Sequence, residues 1–103
     1  MIVPFPAGGG TDAISRQLAE RITSATGWSI AIENRAGAGS NIGLEAVAKA
    51  PSDGYTIGMG QAANLAINPS LYPRMPYDPL TDFALISLVA TQALVAVVSA
   101  KSA

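Results

Sequence analysis

The stretch that decides the fold is Val3-Pro4-Phe5-Pro6-Ala7-Gly8-Gly9-Gly10-Thr11-Asp12, where a short apolar run gives way to glycines and then to a helical pattern. Glycine lacks a Cβ atom, so its backbone can adopt positive φ and approach a ligand closely. The first turn of the following helix has N–H groups without intrahelical partners. These two features together are typical of an anion-binding site. A plain turn between a strand and a helix has the same signature.

The first unit after this stretch is an amphipathic helix followed by a strand. Apolar residues recur at helical spacing over 14–25, and Thr11 or Asp12 would cap the start of the helix and Gly27 its end. Alternation over 28–32 then predicts a strand, with the row Trp28, Ile30 and Ile32 in the core.

The order of strand, glycine-containing loop and helix repeats twice more. A second loop at 35–41 leads to a helix over 41–50 that Pro51 ends. A strand over 55–59 leads to a third loop at 60–64 and a short helix, which restarts at Asn68-Pro69 with the asparagine as cap. Prolines keep 72–80 extended or turned, and 83–89 and 94–99 are apolar enough to be two buried or pairing strands.

This alternation of elements is typical of an α/β fold with a parallel sheet and right-handed crossovers. In such sheets, ligands bind outside the carboxyl ends of the strands. The loops at 6–12, 35–41 and 60–64 all follow predicted strands, so the sequence predicts that they converge at that edge.

Composition excludes several classes of function. None of the 103 residues is histidine or cysteine, so imidazole acid–base chemistry, thiolate nucleophiles, catalytic triads and the usual zinc sites are excluded. The formal net charge is −1 and no Lys/Arg run exists, which gives no attraction for nucleic acid. We therefore expect a protein that is not an enzyme, needs no cofactor or metal and binds no nucleic acid.

The loop motifs also differ from the two common nucleotide-binding signatures. The glycines of the first loop have no lysine near them, which argues against a P-loop. The spacing of Gly37, Gly39 and Gly43 is one residue too long for a dinucleotide fingerprint, and no acid follows the next strand. Hydroxyls, side-chain amides and backbone amides remain, a set that suits a small anion held without chemistry.

Two charged loop residues each have two interpretations. Asp12 is expected to cap the first helix, and the alternative is a general base. Arg35 either binds a ligand carboxylate or forms a surface ion pair with Glu33, and the sequence leaves both readings open.

Five spaced motifs resemble, in order and over essentially the whole chain, the Bug family of extracytoplasmic solute-binding proteins of tripartite tricarboxylate transporters. They are VPFPAGGGTD at 3–12, ENRAGAGSNIG at 33–43, DGYT at 53–56, INPSLY at 67–72, and PYDP at 76–79 with the following Asp82-Phe83. A histidine sometimes found after the third loop in that family is replaced here by the stretch 64–66.

The resemblance implies an α/β, three-layer domain of the periplasmic-binding-protein type II kind, with a mainly parallel sheet that is incomplete in this chain. Residues 1–103 would be part of the first of two lobes, with strands within 82–99 leading toward the hinge. The protein would be periplasmic, with its signal peptide absent from this chain. It would capture a small carboxylate, such as a di- or tricarboxylate, an amino acid or an aromatic acid, for membrane transporter subunits.

Carried over by motif, the ligand contacts implied by the resemblance are residues of the three loops. They are Pro6, Ala7, Gly8, Gly9, Gly10, Thr11, Asp12, Ala38, Gly39, Ser40, Asn41, Gln61, Ala62, Ala63 and Asn64. The alternative function is the anion-binding lobe of an enzyme whose catalytic residues lie outside this chain. Since half of the cleft would be missing, we expect this chain alone to bind carboxylates weakly or not at all, and to self-associate through its apolar 83–99 segment.

Overall fold

A computed structural model of the protein describes residues 1–102, and a small parallel sheet lies at its centre. Strand β1 is Ile2–Val3 and strand β2 is Glu33–Asn34, paired in parallel with Ile2 opposite Glu33. On its other side, Ile2 forms a parallel bridge with Gly58. The Ile2 N–H donates to the Ile57 carbonyl at 2.8 Å, and the Met59 N–H donates to the Ile2 carbonyl at 3.1 Å. β1 is therefore the middle one of three parallel segments.

Two helices pack against this sheet, and both contact β1. Helix α1, Gly10–Thr26, connects β1 to β2, and helix α2, Asn41–Ala48, returns the chain across β1 to the 57–59 segment. Because these crossovers run in opposite directions, right-handed connections put the helices on opposite faces. The predicted α/β architecture, with layers of helix, parallel sheet and helix, is confirmed.

Helix α1 ends where the sequence predicts and begins slightly earlier. Gly27 adopts φ 76° and its N–H donates to the Thr23 carbonyl at 2.8 Å, as expected for a glycine that ends a helix. At the other end the capping position is Gly9, without a side-chain cap, so the prediction of Thr11 or Asp12 as cap is wrong. The Asp12 carboxylate instead reaches back to the N–H of Gly8, one residue before the cap.

Helix α2 and the third helical segment are largely as predicted. The chain leaves α2 just before Pro51, and a π-helical turn at Ala63–Ile67 runs into helix α3, Asn68–Leu71, with Pro69 in its first turn. The predicted asparagine cap is wrong, because Ile67 holds the capping position of α3. The Asn68 side chain is directed to the second loop instead.

The strand predicted over 28–32 does not form, and the core position predicted for Trp28 is wrong. β2 contains only Glu33–Asn34, Trp28 is 71% exposed, and Ile30 and Ile32 are half-buried. The register explains this result. Within residues 1–102, the ladder on this side of β1 pairs only Ile2–Val3 with Glu33–Asn34, and alternation of side chains does not make a strand without a paired backbone.

The two strands predicted over 83–89 and 94–99 are also not formed. These segments have no regular secondary structure, and their apolar residues, apart from half-buried Phe83, are exposed, Leu94 by 92%. Among residues 1–102, no second strand lies beside them to complete a ladder. Their self-association therefore stays a prediction. Within the same residues, no helix is long and apolar enough to cross a membrane.

A close contact between α2 and β1 determines where the second loop lies. A Cβ atom added to Gly43 would be 2.5 Å from Pro4 Cβ and 2.7 Å from the Arg35 carbonyl oxygen. Real side chains do not come this close to backbone, so only glycine lets the first turn of α2 rest against the end of β1.

We predict that Gly43→Ala destabilises the protein by about 1–3 kcal/mol, the usual cost of overpacking. Gly10→Ala is the matched control, because it is also a glycine in the first turn of a helix and its added Cβ meets nothing within 4 Å. Urea unfolding of both variants measures the difference. Equal midpoints would contradict the close contact.

Candidate functional site

The three glycine-containing loops lie at the same edge of the sheet, as predicted. Loop 1 (6–12) follows β1, loop 2 (35–41) follows β2, and loop 3 (60–64) follows the 57–59 segment. Loops 1 and 3 flank the point where the order of the strands reverses, which is the usual ligand position in such sheets. The Gln61 side-chain amide donates to Thr11 Oγ1 and joins these two loops.

In loop 1, the Asp12 carboxylate serves as an internal brace. The residue is 3% exposed, and its Oδ2 accepts from the Gly8 N–H at 2.8 Å and from Arg16 Nε at 3.0 Å. Its Oδ1 accepts from Asn34 Nδ2 at 2.9 Å, which ties loop 1 to the end of β2. Arg16 first, then the Gly8 and Asn34 donors, hold the pKa of Asp12 far below its usual value. A carboxylate so engaged and so acidic does not fit the general-base alternative.

This brace changes which loop 1 amides can meet a ligand. The Gly8 N–H is occupied by Asp12, and the Gly9 N–H donates to the Pro6 carbonyl at 3.4 Å. The N–H groups of the first turn of α1, at Gly10 to Asp12, have no intrahelical acceptor, and no side chain caps this end of the helix. The donors of loop 1 therefore lie at the start of α1, where the helix dipole favours negative charge.

Loop 2 contains a run of four residues with positive φ. The angles are 131° at Gly37, 48° at Ala38, 63° at Gly39 and 73° at Ser40. Alanine and serine rarely adopt such angles, and strained backbone of this kind persists only where surrounding contacts hold it. The run ends at Asn41, whose N–H donates to the Ala38 carbonyl and which starts α2.

Beneath loops 2 and 3 lies a buried polar network of three asparagines and a tyrosine. Asn68 Nδ2 donates to the Gly39 carbonyl and to Asn41 Oδ1, each at 2.9 Å. The Tyr77 hydroxyl lies 2.9 Å from Asn41 Oδ1 and 2.7 Å from the Asn64 carbonyl. Its single proton can be donated to either acceptor, one at a time. Burial raises the pKa of Tyr77, which keeps the phenol protonated as a donor.

Two members of this network, Asn68 and Tyr77, were missed as site residues by the sequence reasoning. Both lie after loop 3, in stretches interpreted as a helix cap and a connector. The motifs INPSLY and PYDP were recognised as family signatures, and these signatures were the only available signal.

Asn64 has a buried donor without a hydrogen-bond partner in the part of the chain that the structure describes. Its Oδ1 accepts from the Gln61 N–H at 2.8 Å and shapes loop 3, and the residue is fully buried. Its Nδ2 has no hydrogen-bond partner among residues 1–102. Because buried polar atoms are nearly always paired, an acceptor from water or ligand is expected there.

Of the two interpretations of Arg35, the ion pair with Glu33 is observed, and contact with a ligand carboxylate stays a prediction. Arg35 Nε donates to Glu33 Oε1 at 2.7 Å, in an ion pair whose two side chains are both substantially exposed. Among residues 1–102, no group of three acidic, His or Cys residues is arranged to hold a metal ion.

The predicted site residues divide into an exposed and a buried set. Exposed residues of the loops are Pro6, Ala7, Gly8, Gly9, Gly10, Ala38, Gly39, Gln61, Ala62 and Ala63, and Thr11 is half-buried. Asp12, Ser40, Asn41 and Asn64 are buried. The exposed set can meet a ligand through backbone and the Gln61 amide, while Asp12, Asn41 and Asn64 hold the loops. Contact of either set with a ligand stays a prediction.

A family model described as the tripartite tricarboxylate transporter family receptor matches residues 14–103. This chain belongs to that family. It is 44% identical to Protein BugT of Bordetella pertussis over 102 residues, covering 98% of this chain and 31% of BugT. It is also 44% identical over 101 residues to a UPF0065 protein of a Pseudomonas species, covering 98% of this chain and 30% of the relative. The Bug resemblance is thus confirmed.

The chain is also similar to solved structures of periplasmic proteins. A structure titled periplasmic binding protein BugD aligns with a TM-score of 0.76 and 44% identity, over 81% of this chain and 27% of that one. A protein of R. palustris, solved with adipate, aligns with a TM-score of 0.73 and 43% identity, over 78% of this chain and 27% of that one. This chain spans about 30% of the length of the relatives it matches.

We predict that Asp12→Asn lowers the free energy of unfolding at neutral pH. The free energy of unfolding of this variant should also change less with pH between 5 and 2 than that of the wild type. Since the pKa of Asp12 in the folded protein lies below its ordinary value of 3.8, the stabilisation by Asp12 is fully present above that value and is lost as pH falls below it. Urea unfolding at pH 7, 5, 3 and 2 measures both effects. Asp53→Asn, in an exposed turn, controls for the loss of one carboxylate. If Asp12→Asn loses as much stability between pH 5 and pH 2 as the wild type does, Asp12 does not brace loop 1 through its charged carboxylate.

Proposed function

We propose that this chain belongs to an extracytoplasmic solute-binding protein and that its three loops form one wall of a site for a small carboxylate. The observation that carries the proposal is the convergence of the loops at one edge of the sheet. Gln61 joins loop 3 directly to loop 1, while Asn34 at the end of β2 and Asn68 at the start of α3 hydrogen-bond to loops 1 and 2. The captured carboxylate would be passed to the membrane subunits of a tripartite tricarboxylate transporter.

The chemistry of the edge supports a carboxylate as ligand. The free N–H groups at the start of α1 and the Gln61 side-chain amide are donors, and carboxylate oxygens accept hydrogen bonds from such groups. The one Lys or Arg within the three loops, Arg35, forms an ion pair with Glu33 in this structure. Binding would therefore rest on oriented dipoles, as at other helix N-termini.

The comparisons support the same function and location. One structural relative is titled a periplasmic binding protein, and another was solved with adipate, a dicarboxylate. These findings favour a periplasmic, non-enzymatic receptor over the alternative of an enzyme lobe. The second wall of the cleft would come from parts of the protein outside this chain, and it would set much of the specificity.

We expect the full-length protein, but not this chain alone, to be stabilised by a small carboxylate. A thermal-shift screen with succinate, adipate, citrate, glutamate and benzoate tests this, followed by calorimetry on the best ligand. Ligand at about 100 times its Kd would add about 2.7 kcal/mol of stability, a shift of several degrees. A full-length protein that gains no stability from any of these carboxylates would refute the proposal.

A pair of substitutions at Gly10 tests the role of the α1 amides. Gly10→Pro removes one N–H at the first helical position, where proline fits, and the extended Gly9 with φ −78° and ψ 171° is compatible with a following proline. Gly10→Ala keeps the N–H. We expect the full-length Gly10→Pro variant to bind the carboxylate about tenfold or more weakly than Gly10→Ala, the effect of one hydrogen bond to a charged group. Equal Kd values by calorimetry would remove this amide from the site.

A further inference from the structure

Asn68 is a buried side chain that lies outside the three loops and yet makes contact with the most strained of them. It lies at the start of α3 and is 6% exposed. Its side-chain Nδ2 donates two hydrogen bonds to loop 2, one to the Gly39 carbonyl and one to Asn41 Oδ1. The Gly39 carbonyl lies within the left-handed run 37–40.

We propose that Asn68 is a positioning residue for the carboxylate site: its amide holds the left-handed run of loop 2 in the conformation that presents the loop backbone to the ligand. This inference rests on the proposed function for its effect on binding. The effect on the conformation of loop 2 follows from the structure alone and can be measured without a ligand.

The strain in loop 2 is what makes such a residue necessary. Ala38 and Ser40 adopt φ of 48° and 73°, angles that L side chains rarely take. Without an outside contact the loop would relax toward negative φ and reorient the amides of the run. Asn68 supplies that contact, because its Nδ2 donates a hydrogen bond to the carbonyl of Gly39, which lies between the two strained residues.

The surroundings of Gly39 show how closely loop 2 rests on this region. A Cβ atom there would lie 2.7 Å from the Tyr72 hydroxyl and 3.4 Å from Asn68 Nδ2. Asn41 Oδ1, the second acceptor of Asn68, is also within reach of the Tyr77 hydroxyl, which in turn reaches the carbonyl of Asn64 in loop 3. Tyr77 thus lies between loops 2 and 3, and Asn68 shares with it the Asn41 Oδ1 acceptor at the end of loop 2.

The test is a rescue experiment in the full-length protein. Asn68→Ala removes the side-chain hydrogen bonds to loop 2. We expect this variant to bind the carboxylate about tenfold more weakly, because one or two hydrogen bonds are lost. Ala38→Gly removes the conformational penalty at one strained position while keeping the backbone N–H. Added to Asn68→Ala, it should recover at least about threefold of the lost affinity, since relaxed backbone needs less support.

Ala36→Gly, added to Asn68→Ala, is the matched control. Ala36 is an exposed residue of the same loop and does not have positive φ, so glycine there relieves no strain. It should give no recovery. Recovery by both glycines, or by neither, would mean that Asn68 acts through general stability and would overturn the proposal.

Hydrogen exchange of the ligand-free protein gives a second, independent measurement. In Asn68→Ala, the peptide covering 36–43 should exchange about tenfold faster, while that of α1 keeps its wild-type rate. If Asn68→Ala does not fold, the binding and hydrogen-exchange measurements are made on Asn68→Ser instead, which keeps a hydrogen-bond donor on a shorter side chain.

The two measurements separate this proposal from the proposed function. If succinate, adipate, citrate, glutamate and benzoate all fail to bind wild-type protein, the function fails and exchange alone decides the role of Asn68. If one of them binds wild type and Asn68→Ala equally well, with unchanged exchange in loop 2, the function stands and the positioning role is wrong.

Discussion

The backbone pairing of β1 on both of its sides is the constraint on which the rest of this structure depends. Ile2 shares hydrogen bonds with Ile57 and Met59 on one side, while the Glu33 N–H donates to Met1 and the Arg35 N–H donates to Val3 on the other. Because all three segments run parallel, each must end at the same edge. Loops that are far apart in sequence are brought together there, and the two main helices are forced onto opposite faces.

A ladder this short cannot also set the fine geometry of the loops, and buried polar groups do so instead. Each satisfied hydrogen bond contributes only about 1 kcal/mol net, but a buried group that loses its partner costs about 1–3 kcal/mol. Alternative arrangements of loops 2 and 3 would leave Asn41, Asn68 or Tyr77 unpaired. The network thus stabilises the fold modestly and specifies one loop arrangement strongly.

The success of sequence reasoning differed between local and non-local features. Helix α1, its end at Gly27 and the restart at Pro69 follow from contacts within a few residues, and all were predictable. The strands expected at 28–32, 83–89 and 94–99 did not form, because a strand exists only where a distant backbone pairs with it, and side-chain alternation carries no information about that partner.

The site shows the same division. That three loops converge followed from the order of the elements, whereas the roles of Asn68 and Tyr77 depend on contacts across 27 to 36 residues of chain. Asparagine before proline is usual at a helix start, so its sequence context indicated a cap and hid its contact with loop 2. Buried hydrogen-bond networks of this kind leave no periodic pattern that a single sequence could reveal.

The negative charge of Asp12 in the first turn of α1 would by itself disfavour an anion bound there. Its charge is balanced by Arg16 at 3.0 Å, so the pair presents little net charge to the edge. Its oxygens are turned toward Gly8 and Asn34, and they leave the N–H groups of the first turn of α1 unoccupied. The Asp12 carboxylate therefore orders loop 1 without accepting hydrogen bonds from the N–H groups of the first turn of α1. A second anion at this edge would meet oriented N–H groups and a neutralised ion pair, which is a more favourable field than the bare acid suggests.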